Sequence, residues 1–519
     1  MKHPASASQS FPAPDWSNQY DHALAARIAQ REEDWRIGPV VYQVFVDRFV
    51  EPTNPQAKQA YFQPPRSLRP WSELPTAKPR VPELGCCMHE LEFWGGDLQG
   101  VRSKLDYIHS LGVDVVYLNP ICAAYTNHKY DAQDYFTVSP EYGNREDVKE
   151  LAEGAHQRGM KLMLDGVFNH MGRTSPLFIE AKSNPKSPWR QWFYFDDALP
   201  NGYRGWFNIP NLPELDLENP AVQARIWGDP DSVVRGYLAD GVDGWRLDVA
   251  YDIGFVYLSD ITRAAHQTRP GSAVIGELWN EPSQWMPALD GVMNFHLRQI
   301  LLEMFDQKIS GARAGRLIAQ MAADTGIDNL LRCWIILDNH DTPRMKSRIK
   351  DEPLRRLARV LQFTLPGAPC VYYGAEVEMA GGDDPANRAP MRWDLVTPDN
   401  ADLQFFRSLV EMRKNARALR CGDFRVLDCE RLLAYLRCTD RWDDTRIVIA
   451  NPSPVPISEV VPTGDSKLMN FAPLVDEFTG QEVRVHTGLL DVTLPAYSVM
   501  VLKPVDKPGS AYSPYKRVH

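Results

Sequence analysis

The 519-residue sequence contains no run of eighteen consecutive apolar residues, so none of its segments resembles a membrane-spanning helix. Its N-terminal stretch, MKHPASASQSFPAPDW, lacks the apolar core of a secretory signal peptide. It also lacks a basic cluster, and its net charge of −10 disfavours nucleic acid as a partner. We therefore expect neither a membrane protein nor a nucleic-acid-binding protein.

Cysteine pairs with zinc-binding spacing are also missing. The eight cysteines, at positions 86, 87, 122, 333, 370, 421, 429 and 438, form no CxxC motif. Scattered cysteines of this kind are typical of reduced thiols, which predicts a cytoplasmic protein. No GxGxxG or GxxxxGK[ST] phosphate loop is present, which argues against a nucleotide cofactor.

What the sequence does contain is an alternation of short β-branched runs with helical patterns, as in βα units. In NREDVKELAEGAHQRG, for example, we predict a helix capped by Asn144 and ended by Gly159. Eight such units favour a (β/α)8 TIM barrel, although a doubly wound sheet is built from the same units. The predicted strands cover residues 40–46, 113–118, 161–167, 242–249, 273–278, 292–295, 333–337 and 369–373.

Two segments interrupt this alternation, and the helical pattern ends near residue 424. A long loop over 50–92 follows the first strand, and an aromatic-rich subdomain is inserted after strand 3. In that insertion, Trp189, Trp192, Tyr194 and Trp206 either line a cleft or form a small core. The predicted parts are an N-terminal extension (1–36), the barrel (37–170 and 220–423), the inserted subdomain (171–219), a C-terminal antiparallel β-sandwich (424–505) and a tail (506–519).

Charged residues gather where the predicted strands end. The third strand ends in DGVFNH (165–170), the fifth in Glu277 and the seventh in DNHD (338–341). In the fourth, GWRLDVA (244–250), Arg246 and Asp248 share one face because strand side chains alternate. The carboxyl ends of barrel strands meet at one face, where active sites are built. These residues are therefore expected to form one site.

Three carboxylates with an arginine suit cleavage of a glycosidic bond, which needs a nucleophile and an acid/base catalyst. Arg246 is expected to lower the pKa of Asp248, and the apolar neighbours of Glu277 favour the protonated form that an acid catalyst needs. A metal site made from His170, His340, Asp165 and Asp341 is conceivable, but their spacing matches no common metalloenzyme motif. Asp165 lies early on its strand and is expected to support Arg246.

Four motifs in order, DGVFNH (165–170), GWRLDVA (244–250), GELW (276–279) and LDNHD (337–341), resemble the signature regions of the α-amylase family, glycoside hydrolase family thirteen. The resemblance covers roughly residues 37–505. Two further stretches, YLNPICAAYTNHKYDAQDY (117–135) and GAEVEMAGGDDPANRAPMRWD (374–394), are most similar to the neopullulanase, cyclomaltodextrinase and maltogenic amylase group.

The resemblance implies a role for each motif residue. Asp248 is implied to be the nucleophile, Glu277 the acid/base catalyst and Asp341 the third carboxylate, which binds sugar hydroxyls. Arg246 is implied to orient Asp248. The implied substrate-binding residues are His170, His340 and His128, Tyr130 stacked under the sugar, and Trp279 on the acceptor side. Arg388 and Asp384 either reach distal sugars or brace their loop.

The sequence departs from the neopullulanase group in three places. Only about 36 residues precede the first predicted strand, too few for that group's N-terminal domain, which puts dimerisation through it, and a preference for cyclodextrins with it, in doubt. The insertion carries LPELD (212–216), which is closer to plain α-amylases. The family's structural calcium would have Asn169, Glu214 and Asp252 as ligands here; calcium is chemically possible, but the altered pattern weighs against it.

The resulting hypothesis is a retaining α-glucan hydrolase that cleaves α-1,4 bonds of maltooligosaccharides, with transglycosylation as a second activity. Its expected partner is an oligosaccharide substrate, and no cofactor is expected to be required. An exo-acting α-glucosidase or an isomerising or glucosyl-transferring relative is the alternative. A non-catalytic sugar-binding or chaperone subunit is a second class, disfavoured because all three carboxylates are present. Oligomeric state stays open.

Overall fold

A closed barrel of eight parallel strands forms the centre of the protein, which we describe from a computed structural model covering residues 15–506 and 513–515. The first strand pairs with both the second and the eighth, Val41 lying opposite Val115 and Cys370. This closure confirms the TIM barrel and rules out the doubly wound sheet. The strands are β1 (Val41–Val44), β2 (Val115–Leu118), β3 (Lys161–Gly166), β4 (Gly244–Leu247), β5 (Ala273–Leu278), β6 (Gly291–Asn294), β7 (Trp334–Ile336) and β8 (Ala368–Tyr372).

Helices surround the barrel because each strand buries one face inward and the other outward. Trp245 of β4, for example, packs on Tyr237 of the helix Val233–Ala239. Asn144 caps its helix as predicted, accepting a bond from the amide of Glu146. The helices are Asp15–Glu33, Pro55–Gln59, Leu98–Ser103, Leu105–Ser110, Arg145–His156, Pro176–Ser183, Pro220–Gln223, Val233–Ala239, Ala250–Ile253, Phe255–Thr268, Phe295–Phe305, Gly311–Thr325, Ile327–Leu330, Met345–Arg348, Glu352–Thr364, Ala401–Asn415 and Arg417–Cys421.

Two excursions from the barrel border its carboxyl-end face. The loop after β1 contains the short strands Arg80–Val81 and Cys86–Cys87, which pair with each other, followed by the 3₁₀ turn Met88–Leu91. The insertion after β3 is held by isolated bridges, such as Phe195 with Tyr203, and by packed aromatic rings. Two of the four aromatic residues named above form part of a small core, since Trp192 is buried and packs on Trp189. Trp206 instead stacks on His170.

A C-terminal antiparallel sheet follows the barrel, as predicted. Six strands pair in one sheet, and β12 pairs with β15 in a second, with an apolar cluster buried among them. The strands are β9 (Asp423–Leu427), β10 (Leu433–Cys438), β11 (Arg446–Asn451), β12 (Ile457–Pro462), β13 (Pro473–Asp476), β14 (Glu482–Arg484), β15 (Leu489–Leu494) and β16 (Ser498–Pro504).

The limits proposed for the individual domains stay predictions, and parts of the extension over 1–36 and of the tail over 506–519 lie outside the described residues. Among the described helices, none combines the length and the apolar composition that crossing a membrane requires.

Candidate active site

The guanidinium of Arg246 organises the carboxyl-end face of the barrel. It is fully buried, and its NH1 donates to Asp165 (2.8 Å) and to Asp248 Oδ1 (2.9 Å). Its NH2 lies 2.9 Å from Glu277 Oε2 in an ion pair. One cation therefore holds three carboxyl groups, contributed by the ends of β3, β4 and β5. Asp165 supports Arg246, as predicted.

A strained turn connects Asp248 to Glu277. The strand predicted to reach residue 249 ends at Leu247, because Val249 adopts the left-handed conformation with φ 42° and ψ 48°. A β-branched residue in this region costs about 1–3 kcal/mol, and such strain is kept where the surroundings impose it. In this conformation the Val249 amide donates to Glu277 Oε2 (3.1 Å). The turn therefore positions both carboxyl groups at once.

Trp279 completes the environment of Glu277. Its indole Nε1 donates to Glu277 Oε1 (3.0 Å), and its ring stacks on Phe295 with the centroids 3.8 Å apart. The side chain is nevertheless 58% exposed. Trp279 thus offers a free apolar surface next to a carboxyl oxygen, which suits the stacking of a sugar ring.

Asp341 and His340 lie on the opposite side, at the end of β7. His340 Nδ1 lies 2.9 Å from Gln43 Nε2, an amide donor, which places the ring proton on Nε2. Nε2 lies 3.1 Å from Asp341 Oδ2 and 2.5 Å from the Tyr130 hydroxyl. Burial lowers the pKa of His340 well below its usual range, so the ring is neutral.

His170 faces the nucleophile candidate. Its Nε2 lies 4.0 Å from Asp248 Oδ2 and has no hydrogen-bond partner within residues 15–506 and 513–515, although it is buried. Burial lowers its pKa to about 3, which keeps the ring neutral at physiological pH. A buried polar atom is costly unless it is paired, so this nitrogen is available to a hydrogen-bonding group that enters the site.

His128 and Tyr130 form the remaining wall. The Tyr130 amide donates to His128 Nδ1 (3.1 Å), and the two rings stack 5.8 Å apart. The Tyr130 hydroxyl also donates to Asp165 Oδ2 (3.0 Å). All nine residues selected for the site are therefore connected by contacts at one face of the barrel.

Sequence reasoning missed several side chains that hold this arrangement. Gln43 of β1 also donates to Asn119, which in turn donates to the Tyr130 hydroxyl. Arg388, which the sequence analysis assigned neither to the catalytic nor to the substrate-binding residues, lies between Asp341 (3.4 Å) and Asp384 (3.2 Å). Gln43 and Asn119 had a detectable signal, since Gln43 is a polar residue within the apolar strand β1 and Asn119 directly follows the apolar strand β2.

Three carboxyl groups of the site, those of Asp165, Asp248 and Asp341, retain protons more readily than isolated ones do. Burial raises the pKa of Asp248 well above its usual range, Arg246 opposes this, and Glu277 reinforces it. Burial also raises the pKa values of Asp165 and Asp341. Arg246 does lower the pKa of Asp248, as expected, but burial raises it by more. Groups this close share their protons, so the cluster as a whole holds a proton that one member can donate.

The three calcium-ligand candidates lie near one another at the junction with the insertion. The Asn169 carbonyl accepts a bond from the Leu215 amide, and residues 170 and 214 form a bridge. Glu214 pairs with Arg204 (2.9 Å), and Asp252 accepts a bond from Trp206 Nε1 (2.9 Å). A guanidinium at Glu214 repels a divalent cation and neutralises one of only two carboxylates. The donor set does not fit calcium, which takes six to eight oxygen ligands.

Comparison with known proteins matches this geometry to a family. A family model described as alpha amylase, catalytic domain, matches residues 43–401. A cyclomaltodextrinase of a Bacillus species is 34% identical over 432 residues, which span 80% of this chain and 73% of the relative. Neopullulanase 2 of Thermoactinomyces vulgaris is 31% identical, covering 90% of this chain and 78% of its own.

A solved structure shows the same architecture. The cyclic alpha-maltosyl-(1→6)-maltose hydrolase of Arthrobacter globiformis superposes with a TM-score of 0.75 at 27% identity. The match covers 91% of this chain and 99% of that one.

Proposed function

Since the chain belongs to the α-amylase family and is a glycoside hydrolase by that membership, we propose that it cleaves α-1,4-glucosidic bonds of maltooligosaccharides and related α-glucans through a covalent glycosyl-enzyme. The observation that carries the proposal is the Arg246 guanidinium, whose NH1 contacts Asp248 as well as Asp165 and whose NH2 contacts Glu277. Carboxyl groups held on one guanidinium form a close pair, as the separation of roughly 5–5.5 Å in retaining enzymes requires.

In the first step, an Asp248 oxygen attacks the anomeric carbon while Glu277 gives its proton to the departing glycosidic oxygen. The carbon–oxygen bond to the leaving sugar breaks as the β-glycosyl ester forms. In the second step, Glu277 takes a proton from water, whose oxygen displaces Asp248 from the opposite face. Two inversions return the α-anomer.

The remaining cleft residues position the sugar. The unpaired Nε2 of His170 next to Asp248 is directed at a hydroxyl of the reacting glucose. Tyr130 offers its ring face to the sugar. Asp341, which is held in place by His340 and Arg388, accepts hydrogen bonds from the sugar hydroxyls. Because these polar contacts are buried in a region of low dielectric constant, each one stabilises the transition state more strongly than the same contact would in water.

Transglycosylation belongs to the same proposal. A sugar stacked on the exposed Trp279 would bring a hydroxyl near Glu277, the base that activates the acceptor. A sugar hydroxyl and water then compete for one glycosyl-enzyme. The relatives that act on cyclic glucans, by their names, also support cyclic maltooligosaccharides as substrates.

Product analysis tests the proposal. The protein is incubated with maltohexaose, a cyclodextrin, pullulan, maltose, sucrose and trehalose, and the products are followed by early NMR. We expect cleavage of the α-1,4-glucans with the new reducing ends in the α form. Products in the β form would contradict retention. Release of glucose alone from chain ends would identify the exo-acting α-glucosidase, isomerised sucrose or trehalose would identify the isomerising relative, and unchanged sugars would identify a non-catalytic subunit.

The insertion is proposed to be linked to the barrel without calcium, because Arg204 pairs with Glu214 and Trp206 with Asp252. We expect Tm and turnover to be equal in EDTA and in millimolar Ca²⁺. A cation at a hundred times its Kd would stabilise the fold by about 2.7 kcal/mol, which calorimetry resolves. A Tm that rises with Ca²⁺ concentration would contradict the proposal, and Arg204→Gln serves as a comparison because it removes the competing cation.

We also propose a cytoplasmic location, supported by eight free cysteines, four of them buried among apolar side chains. The excess of acidic residues supports the absence of a nucleic-acid partner.

A further inference from the structure

Three donor groups converge on the 3₁₀ turn after the strand Cys86–Cys87. Cys87, His89 and Glu90 each offer one ligand atom, a thiol sulfur, a ring nitrogen and a carboxylate oxygen, and these atoms lie within 4.8 Å of one another. The cluster lies in the loop after β1, outside the nine residues assigned to sugar binding and catalysis. Nothing in the proposed reaction uses a thiol.

A fourth donor approaches from another part of the chain. Asp384, in the segment after β8, places Oδ2 3.9 Å from His89 Nε2 while its Oδ1 pairs with Arg388. Burial raises the pKa values of Cys87 and of Glu90, the latter to about 7, and the negative charge of Asp384 adds to both shifts. Two cations, Arg80 and Arg388, partly offset the negative charge around this point.

Two contacts with the Lys78 backbone orient the His89 ring. His89 Nδ1 lies 3.3 Å from the Lys78 carbonyl and 3.0 Å from the Lys78 amide. The Lys78 amide donates to Nδ1, which places the ring proton on Nε2, the nitrogen turned towards Asp384. Zinc at Nε2 requires the other tautomer, in which the proton moves to Nδ1 and is donated to the Lys78 carbonyl, the usual kind of partner of a metal-bound histidine.

Glu90 retains a free ligand position. One of its oxygens, Oε2, accepts a bond from the Cys87 amide (3.0 Å), which fixes the carboxylate beside the thiol. The other oxygen, Oε1, is sufficient to coordinate a cation. Cys87 and Glu90 are half-buried and Asp384 is at the surface, so an ion can reach the cluster.

We propose that Cys87, His89, Glu90 and Asp384 form a binding site for Zn²⁺ at the edge of the sugar cleft. Sulfur, nitrogen and two carboxylate oxygens are the donors that Zn²⁺ accepts in a tetrahedral site. Binding displaces the thiol proton to solvent, since the thiolate is the ligand. The site goes beyond the proposed hydrolase activity, and its occupancy does not depend on that activity.

Zinc at this position is linked to the active site through one side chain. Asp384 pairs with Arg388, which also contacts Asp341 and donates to the His340 carbonyl. Coordination of Asp384 would weaken its hold on Arg388 and so release Arg388 from its position against Asp341. Zinc is therefore expected to slow glucan hydrolysis.

Cobalt is the probe, because Co²⁺ replaces Zn²⁺ and reports a thiolate ligand by a charge-transfer absorption. We expect the full-length protein to bind one equivalent with that absorption and with tetrahedral visible bands, both abolished by excess Zn²⁺. Cys87→Ser is expected to remove the charge-transfer absorption, and His89→Gln and Asp384→Asn to weaken binding at least about tenfold.

Matched controls separate this site from nonspecific binding. Cys86 is adjacent in the same strand, so its side chain lies on the opposite face, and Cys86→Ser is expected to retain the absorption. Asp383→Asn, the same change one residue before Asp384, is expected to retain the affinity. No charge-transfer absorption, or one that survives in Cys87→Ser, would overturn the proposal whether or not the protein hydrolyses glucans.

Discussion

Replacing Asp248 by Asn is expected to reduce kcat on maltooligosaccharides at least about 10⁴-fold, because an amide cannot form the glycosyl ester. This corresponds to a loss of about 5 kcal/mol of transition-state stabilisation. The amide oxygen can still accept the bond from Arg246 NH1, so the fold and the sugar contacts remain. Steady-state kinetics on maltohexaose and calorimetric sugar binding measure the two effects separately.

The same change is expected to raise thermal stability. The pKa of Asp248 is raised in the folded protein, so its charged form opposes folding, and the stability that it contributes when protonated is lost as pH rises through that pKa. The gain in Tm from Asp248→Asn is therefore expected to be largest at neutral pH and to shrink as pH falls. A lower Tm than wild type at neutral pH would contradict this account.

Asp260→Asn is the matched control for both measurements. Asp260 lies on the helix that follows β4 and pairs with Arg263 at the surface. The variant is expected to retain turnover and Tm. Near-normal kcat in Asp248→Asn, with this control intact, would eliminate Asp248 as the nucleophile.

Replacing Glu277 by Gln is expected to have an effect that depends on the leaving group. On maltohexaose, loss of general acid catalysis should slow the first step by about 10²–10⁴-fold. On α-maltosyl fluoride, whose leaving group needs little protonation, the first step should slow less than about tenfold. Rapid-quench measurement of the first turnover on both substrates gives the ratio.

Rescue by azide extends the Glu277 test. Azide needs no base to attack the glycosyl-enzyme, so it is expected to accelerate the second step of Glu277→Gln and to yield an α-glycosyl azide. Glu281→Gln, the same change four residues later in a carboxyl group that accepts bonds from Ser283, is the control. Equal loss on both substrates and no rescue would rule out the acid/base role.

The sequence was sufficient to locate the barrel strands because their signal is local. β5 has the predicted limits, residues 273 to 278, and the other seven strands differ by a few residues at their ends. The error at β4 is instructive: Val249 is a strong strand former, yet it adopts a left-handed conformation. Only tertiary contacts, here the bond from its amide to Glu277, determine such a backbone.

The site was predictable where polar residues end apolar strands and unpredictable where loops contribute. Arg246 and Asp248 stood out because charge in a buried strand needs an explanation. Arg388 and Asp384 belong to an irregular segment after β8, and nothing in their local sequence indicates that Arg388 contacts Asp341 while Asp384 pairs with Arg388. The bond from Trp279 to Glu277 depends on a side-chain rotamer, which no periodicity encodes.

The contact of one guanidinium with two carboxyl groups has a consequence for the whole catalytic cycle. Before the reaction, the negative charge is on Asp248 and the proton on Glu277; in the ester intermediate, Asp248 is neutral and Glu277 is the anion. Arg246 contacts both carboxyl groups. The negative charge that faces the guanidinium therefore passes from its NH1 side, at Asp248, to its NH2 side, at Glu277, without changing in amount. The net charge around Arg246 therefore stays constant throughout the cycle, and no ion has to enter or leave to balance the transfer.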